Sequence, residues 1–62
     1  RAADLAAARA LLGVGPDANA GTIRTAWRLQ IASAHPDAGG DAELATKLTA
    51  ARDLLLGQLA DD

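Results

Sequence analysis

The feature that most constrains this chain is an interruption between two helical patterns, His35-Pro36-Asp37-Ala38-Gly39-Gly40. Proline lacks the N–H that a continuing helix needs and disfavours helical geometry in the residue before it, so a preceding helix must end near Ala34. The two glycines permit a sharp turn. Asp41 can then cap a new helix, and Glu43 suits its positively polarised first turn. The segment therefore predicts a helix, a tight exposed loop over 35–40 and another helix.

Hydrophobic spacing predicts three helices and no strand anywhere in the chain. The expected helices are I at about 4–12, II at about 20–34 and III at about 41–56. Asp4 can cap helix I and Gly13 can end it, while Asn19 is the expected N-cap of helix II. Gly57 could cap the end of helix III, which leaves 58–62 as a continuation or a frayed acidic tail.

Each predicted helix carries one apolar stripe at steps of three and four residues. The stripes are Leu5, Ala8, Leu11 and Leu12; Ile23, Ala26, Trp27, Ile31 and Ala34; and Leu44, Ala45, Leu48, Ala51 and Leu55. Gln30 interrupts the second stripe. Trp27 is the single aromatic residue, so we expect it in the core with its N–H bonded to an acceptor or to water. The predicted fold is all-α: an antiparallel hairpin of helices II and III, helix I packed across it, and the loop 35–40 at the tip.

Length and charge limit the classes of protein that fit. A chain of 62 residues without cysteine predicts a single domain, 1–62, with no disulfide or thiolate metal site. The net charge of −2 argues against a dedicated nucleic-acid binder. No apolar run approaches the roughly 20 residues of a membrane span. Because the chain begins with Arg1, we expect it to be a segment of a longer protein, whose other parts could carry a membrane anchor.

The charged residues of helix II form a small positive patch. Arg24 and Arg28 are four residues apart, and therefore share a helical face, and they are the only charges in that helix. An ordinary solvated helix face is the alternative interpretation. Charges that fall outside the apolar stripe of helix III, namely Lys47, Arg52 and Asp53, are expected at the surface.

The loop residues His35, Pro36 and Asp37 also have alternative interpretations. Proline and aspartate could simply form a turn. A metal site of His35, Asp37 and Asp41 has suitable ligand atoms, but a single imidazole on a loop is a poor site. No nucleophile, base and orienting group occur together, so we expect neither an enzyme nor a cofactor.

Several phrases of the sequence resemble the J-domain of DnaJ-type co-chaperones. They are Leu11-Leu12-Gly13-Val14, Pro16-Asp17-Ala18, Ile23-Arg24, Ala26-Trp27-Arg28 and His35-Pro36-Asp37. Two segments are most similar to the short J-domains of the mitochondrial import-motor J-protein and its bacterial relatives. They are His35-Pro36-Asp37-Ala38-Gly39-Gly40-Asp41 and Ala51-Arg52-Asp53-Leu54-Leu55. The resemblance covers roughly 5–57.

The resemblance implies a protein partner. J-domains dock on a seventy-kilodalton heat-shock chaperone of the DnaK class and stimulate its ATP hydrolysis. By resemblance, His35, Pro36 and Asp37 are the signature triad, in which Asp37 contacts an arginine of the chaperone, and Arg24 and Arg28 face its acidic surface. The resemblance also implies a cytoplasmic or matrix-like compartment. We expect no small-molecule substrate, nucleic acid or membrane contact for this segment. The alternative is a J-like structural or regulatory domain that binds a partner without stimulating it.

The chain departs from the family pattern at several positions of helix II. Leu29 and Ser33 occupy positions that are commonly basic, so we expect weaker docking or docking through different contacts. Gln30 replaces a buried aliphatic residue, which implies either a helix rotated to use Ile31 or a buried amide. Trp27 replaces a tyrosine or histidine. The fourth helix of longer J-domains is expected to be absent or vestigial.

Overall fold

Three packed helices make up the computed structural model, which describes residues 2–33 and 42–60. They are α1, Ala2–Leu12; α2, Ala20–Ser33; and α3, Ala42–Ala60. No strand occurs in these two ranges, so the prediction of an all-helical fold is confirmed at that level. Helix α3 packs against both α1 and α2, whereas α1 and α2 contact each other less. The predicted loop 35–40, together with Ala34 and Asp41, lies outside the described residues.

The core contains side chains from all three helices. Its buried members are Ala8, Leu12, Ile23, Leu48, Ala51 and Leu55. All six belong to the apolar stripes predicted from the spacing, and Leu48 is the most deeply buried, at 1% exposed. Half of the core comes from α3, which is why that helix can hold the other two together.

The end of α1 is built around Gly13. The N–H groups of Gly13 and Val14 both donate to the carbonyl oxygen of Arg9, at 2.8 and 3.0 Å, and the Gly13 N–H also approaches the Ala10 oxygen at 3.2 Å. Gly13 has φ of 74°, in the left-handed region that favours glycine. This is a Schellman termination. It turns the chain so that Val14 packs against the core.

The start of α2 is capped by Asn19, as predicted. Its Oδ1 accepts a hydrogen bond of 2.8 Å from the N–H of Thr22, three residues on. Its carbonyl oxygen accepts from the N–H of Ile23 at 3.0 Å, which is the first bond of the helical ladder. The cap therefore determines the residue at which α2 begins.

Two predicted helix ends are wrong. Helix α1 begins at Ala2, so Asp4 is not a cap but lies in the first turn, where its charge suits the helix dipole. Helix α3 does not end near Leu56 but continues through Gly57 to Ala60. Among the described residues only Gly13 has positive φ, so Gly57 does not adopt the left-handed conformation of a C-cap.

The rotation of α2 resolves the position of Gln30. Gln30 is exposed, whereas Ile31 is half-buried and packs against the core. Of the two arrangements expected from the sequence, the helix therefore uses Ile31 and keeps the amide in solvent. Within the described ranges, none of the three helices combines the length and the apolar character needed to cross a bilayer.

Candidate partner-binding surface

Arg24 and Arg28 lie exposed on α2, one helical turn apart. Neither forms an ion pair with an acidic side chain of residues 2–33 or 42–60. Like charges at this spacing destabilise a helix by about 0.2–0.5 kcal/mol. Helix stability therefore does not explain why two arginines lie here, whereas a role in binding a partner would explain it.

Trp27 lies between the two arginines in the chain and faces α3. It is half-buried, so the prediction of a core tryptophan is only partly met: its ring packs against the core from the edge. Its indole N–H donates a hydrogen bond of 3.2 Å to Oγ1 of Thr49. This bond joins α2 to α3 and satisfies the polar atom of the ring, as expected for a packed tryptophan.

Arg52 of α3 is held against Trp27. Its guanidinium carbon lies 4.5 Å from the centroid of the indole ring, within the range of a cation–π interaction. Its Nε and Nη2 donate to Oδ1 of Asp53 at 2.9 and 2.8 Å. The Arg52 side chain is 26% exposed and that of Asp53 is 62% exposed. Asp53 is therefore a surface charge, as predicted, whereas Arg52 reaches the surface only in part and is fixed on two sides.

These side chains line a groove of about 220 Å³ between α2 and α3, which we call the arginine groove. Its lining residues are Arg24, Trp27, Arg28, Arg52, Asp53 and Leu56. Three of the six basic residues of the chain meet here with one acidic residue. The groove thus concentrates positive charge in a chain whose net charge is −2.

The structure brings together only part of the predicted binding set. Arg24 and Arg28 share one face, whereas His35, Pro36 and Asp37 lie outside the described residues. Spacing along the chain did not identify Arg52 as part of this surface. Its position depends on which turn of α3 lies against Trp27, and helical periodicity within one segment does not reveal that register.

A second, larger depression lies elsewhere on α2. It has a volume of about 670 Å³ and is lined by the α1–α2 connection and by Thr22, Thr25, Ala26 and Leu29. No charged side chain lines it. Leu29 is 68% exposed there. The position that is commonly basic in J-domains is therefore at the surface in this chain, but it carries no charge. The arginine groove is the more specific candidate because it is lined by charged side chains, of which Arg52 is fixed in place.

No protein-family model matches this chain, and no solved structure matches it. Groups of three or more His, Cys, Asp or Glu side chains able to hold a metal are absent from residues 2–33 and 42–60. Those ranges do not include His35, Asp37 and Asp41.

Proposed function

We propose that this chain is a J-domain that docks on a DnaK-class chaperone and stimulates its ATP hydrolysis. The observation that carries the proposal is the pair of exposed arginines on α2, Arg24 and Arg28, which form no ion pair within residues 2–33 and 42–60. In the sequence, α2 is followed directly by the segment 34–41. That segment contains His35-Pro36-Asp37. A cationic helix face followed by this tripeptide is the arrangement that the family resemblance implies.

The packing of α2 on α3 supports an antiparallel hairpin. Trp27 contacts Thr49 and Arg52, whereas Ile23, one turn earlier, lies beside Leu55 and Leu59 at a small cleft. Earlier residues of α2 therefore contact later residues of α3. Contacts in this order support two helices that run in opposite directions.

In this mechanism the domain performs no chemistry itself. The Asp37 carboxylate would form a charge-assisted hydrogen bond with an arginine of the chaperone, a contact about twice as strong as a neutral one. Arg24 and Arg28 would steer and orient docking on an acidic surface, with an effect that weakens as salt rises. The ATP site and its catalytic groups belong to the chaperone. The domain would act in the cytoplasm, without contacts to nucleic acid or membrane.

The second candidate is a J-like domain that binds a partner without stimulating it. The thin positive face of α2 favours this alternative, because Leu29 and Ser33 are exposed and uncharged at commonly basic positions. The two candidates differ in a single measurable property, the acceleration of ATP hydrolysis by the partner.

The test is single-turnover ATP hydrolysis by a DnaK-class chaperone from the same source. The intact domain should accelerate hydrolysis, and Asp37→Asn should remove the acceleration because it removes the charge. Asp17→Asn is the matched control, since Asp17 is an exposed aspartate of the α1–α2 connection, and it should stimulate like the parent. Absence of stimulation by a folded parent would favour the second candidate. Full stimulation by Asp37→Asn would refute the role of the triad.

A further inference from the structure

We infer that the arginine groove is a binding cleft for a carboxylate-bearing segment of the protein partner, with Arg52 of α3 as its third cationic contact. The identity of the partner rests on the proposed function, whereas the cleft and its chemistry rest on the described residues. The resemblance assigned basic contacts to helix II alone. The structure adds a residue from the neighbouring helix.

The charge of the groove selects an anionic occupant. Arg24, Arg28 and Arg52 line it, and Asp53 is its one acidic member. Asp53 bonds only Arg52, which leaves two guanidinium groups without an acidic partner among the described side chains. Guanidinium groups bind carboxylates through paired N–H donors, which makes arginine the residue suited to recognising aspartate and glutamate side chains.

Arg52 is already oriented before any partner arrives. The indole ring of Trp27 supports one face of its guanidinium, and Asp53 fixes its Nε edge. Trp27 is itself held by the hydrogen bond to Thr49. Ordering a long side chain at an interface costs about 0.5–1.5 kcal/mol. Because Arg52 is held in advance, docking on it loses less side-chain entropy than docking on a free arginine.

The size of the groove fits side chains better than a small-molecule ligand. Its volume of about 220 Å³ lies below the roughly 300–1,000 Å³ of typical ligand pockets. The sequence predicted either weaker docking or docking through different contacts, because Leu29 and Ser33 are not basic. Arg52 is such a contact, since it supplies from α3 a positive charge that α2 lacks.

The first test compares Arg52→Gln with Lys47→Gln in the ATPase assay. Both changes remove one positive charge from α3, but Lys47 is exposed, does not line the groove and lies about 140° around the helix from Arg52. Arg52→Gln should raise the domain concentration for half-maximal stimulation about fivefold at low salt, while the maximal rate is retained. Lys47→Gln should change it less than twofold.

Arg52→Lys tests whether the effect is one of charge. It keeps the positive charge but loses the planar fork, so it should recover part of the affinity lost in Arg52→Gln. Circular dichroism would check that each variant keeps the helicity of the parent. Parent-like docking by Arg52→Gln would overturn the inference.

A direct binding assay separates this inference from the proposed function. Trp27 is the sole aromatic residue and lines the groove, so its fluorescence reports occupancy. A glutamate-rich peptide should change the emission of the parent and of Lys47→Gln, and should do so more weakly for Arg52→Gln. This result would uphold the cleft even if the chaperone were not stimulated. No response to the peptide, or an equal response to a single-stranded oligonucleotide, would refute a carboxylate-selective cleft.

Discussion

Replacement of Gly57 by alanine should stabilise the protein. Gly57 lies inside α3, three residues before the helix ends at Ala60. It is exposed, has no positive φ, and a Cβ built on it meets no atom within 4 Å. Alanine would therefore introduce no clash and would reduce the conformational entropy of the unfolded chain.

The expected gain is about 0.5–1 kcal/mol. Glycine in a helix interior is about 0.8–1.0 kcal/mol less favourable than alanine, and a position near the end of a helix gains somewhat less because the last turn frays. In a domain of this size, 1 kcal/mol shifts Tm by about 4–8 °C. Thermal unfolding followed by circular dichroism should therefore show a rise of about 2–8 °C.

Gly13→Ala is the matched control for this measurement. A Cβ at Gly13 also has room, since its nearest atom is Nε2 of Gln30 at 4.0 Å, but φ is +74°. The same substitution there should lower the unfolding free energy by about 1–2 kcal/mol, because an alanine must adopt the left-handed conformation. Both substitutions reduce the conformational entropy of the unfolded chain by the same amount. They differ in the φ angle that the alanine must adopt in the folded protein.

The sign of the Gly57→Ala effect decides between two conformations. A C-cap at Gly57, as the sequence predicted, would require a left-handed residue, and alanine would then lower Tm as it does at Gly13. A fall in Tm for Gly57→Ala would refute the conclusion that α3 continues to Ala60.

Two further predictions concern the cap of α2 and the charge of the arginine groove. Asn19→Ala should lower the unfolding free energy by about 1 kcal/mol and Tm by about 4–8 °C in the same thermal assay, because the Thr22 N–H loses its acceptor at 2.8 Å; an unchanged Tm would show that the cap contributes nothing. Asp53→Asn should halve, or lower further, the concentration for half-maximal chaperone stimulation at low salt, because it removes the one acidic member of the groove. Its Tm should fall by no more than about 4–8 °C, because an ion pair this exposed contributes about 0–1 kcal/mol. Weaker docking would contradict the proposed electrostatics.

The arginine groove gives Trp27 a different role from the one expected of a core residue. Its ring covers part of the core and at the same time supports Arg52. A single aromatic side chain thus links the packing of α2 on α3 to the placement of a surface charge. A change at Trp27 would alter stability and binding together, so Arg52 is the better site for separating the two.

Features that depend only on neighbours along the chain could be predicted from the residue order. The Asn19 cap, the Gly13 termination and the burial of Leu48 all follow from residue types and spacing within one or two helical turns. The all-helical class follows from the same local signals. Such features need no knowledge of which helix lies against which.

The rotation of the helices and the points where they end depend on packing between the helices. Gln30 faces solvent because α2 turns Ile31 toward the core. Gly57 stays helical in a segment where Leu56 and Leu59 pack against the core, and that burial offsets the low helix propensity of glycine. Arg52 meets Trp27 because of the register between α2 and α3. These outcomes depend on contacts between residues far apart in the chain, and local propensity and periodicity carry no information about such contacts.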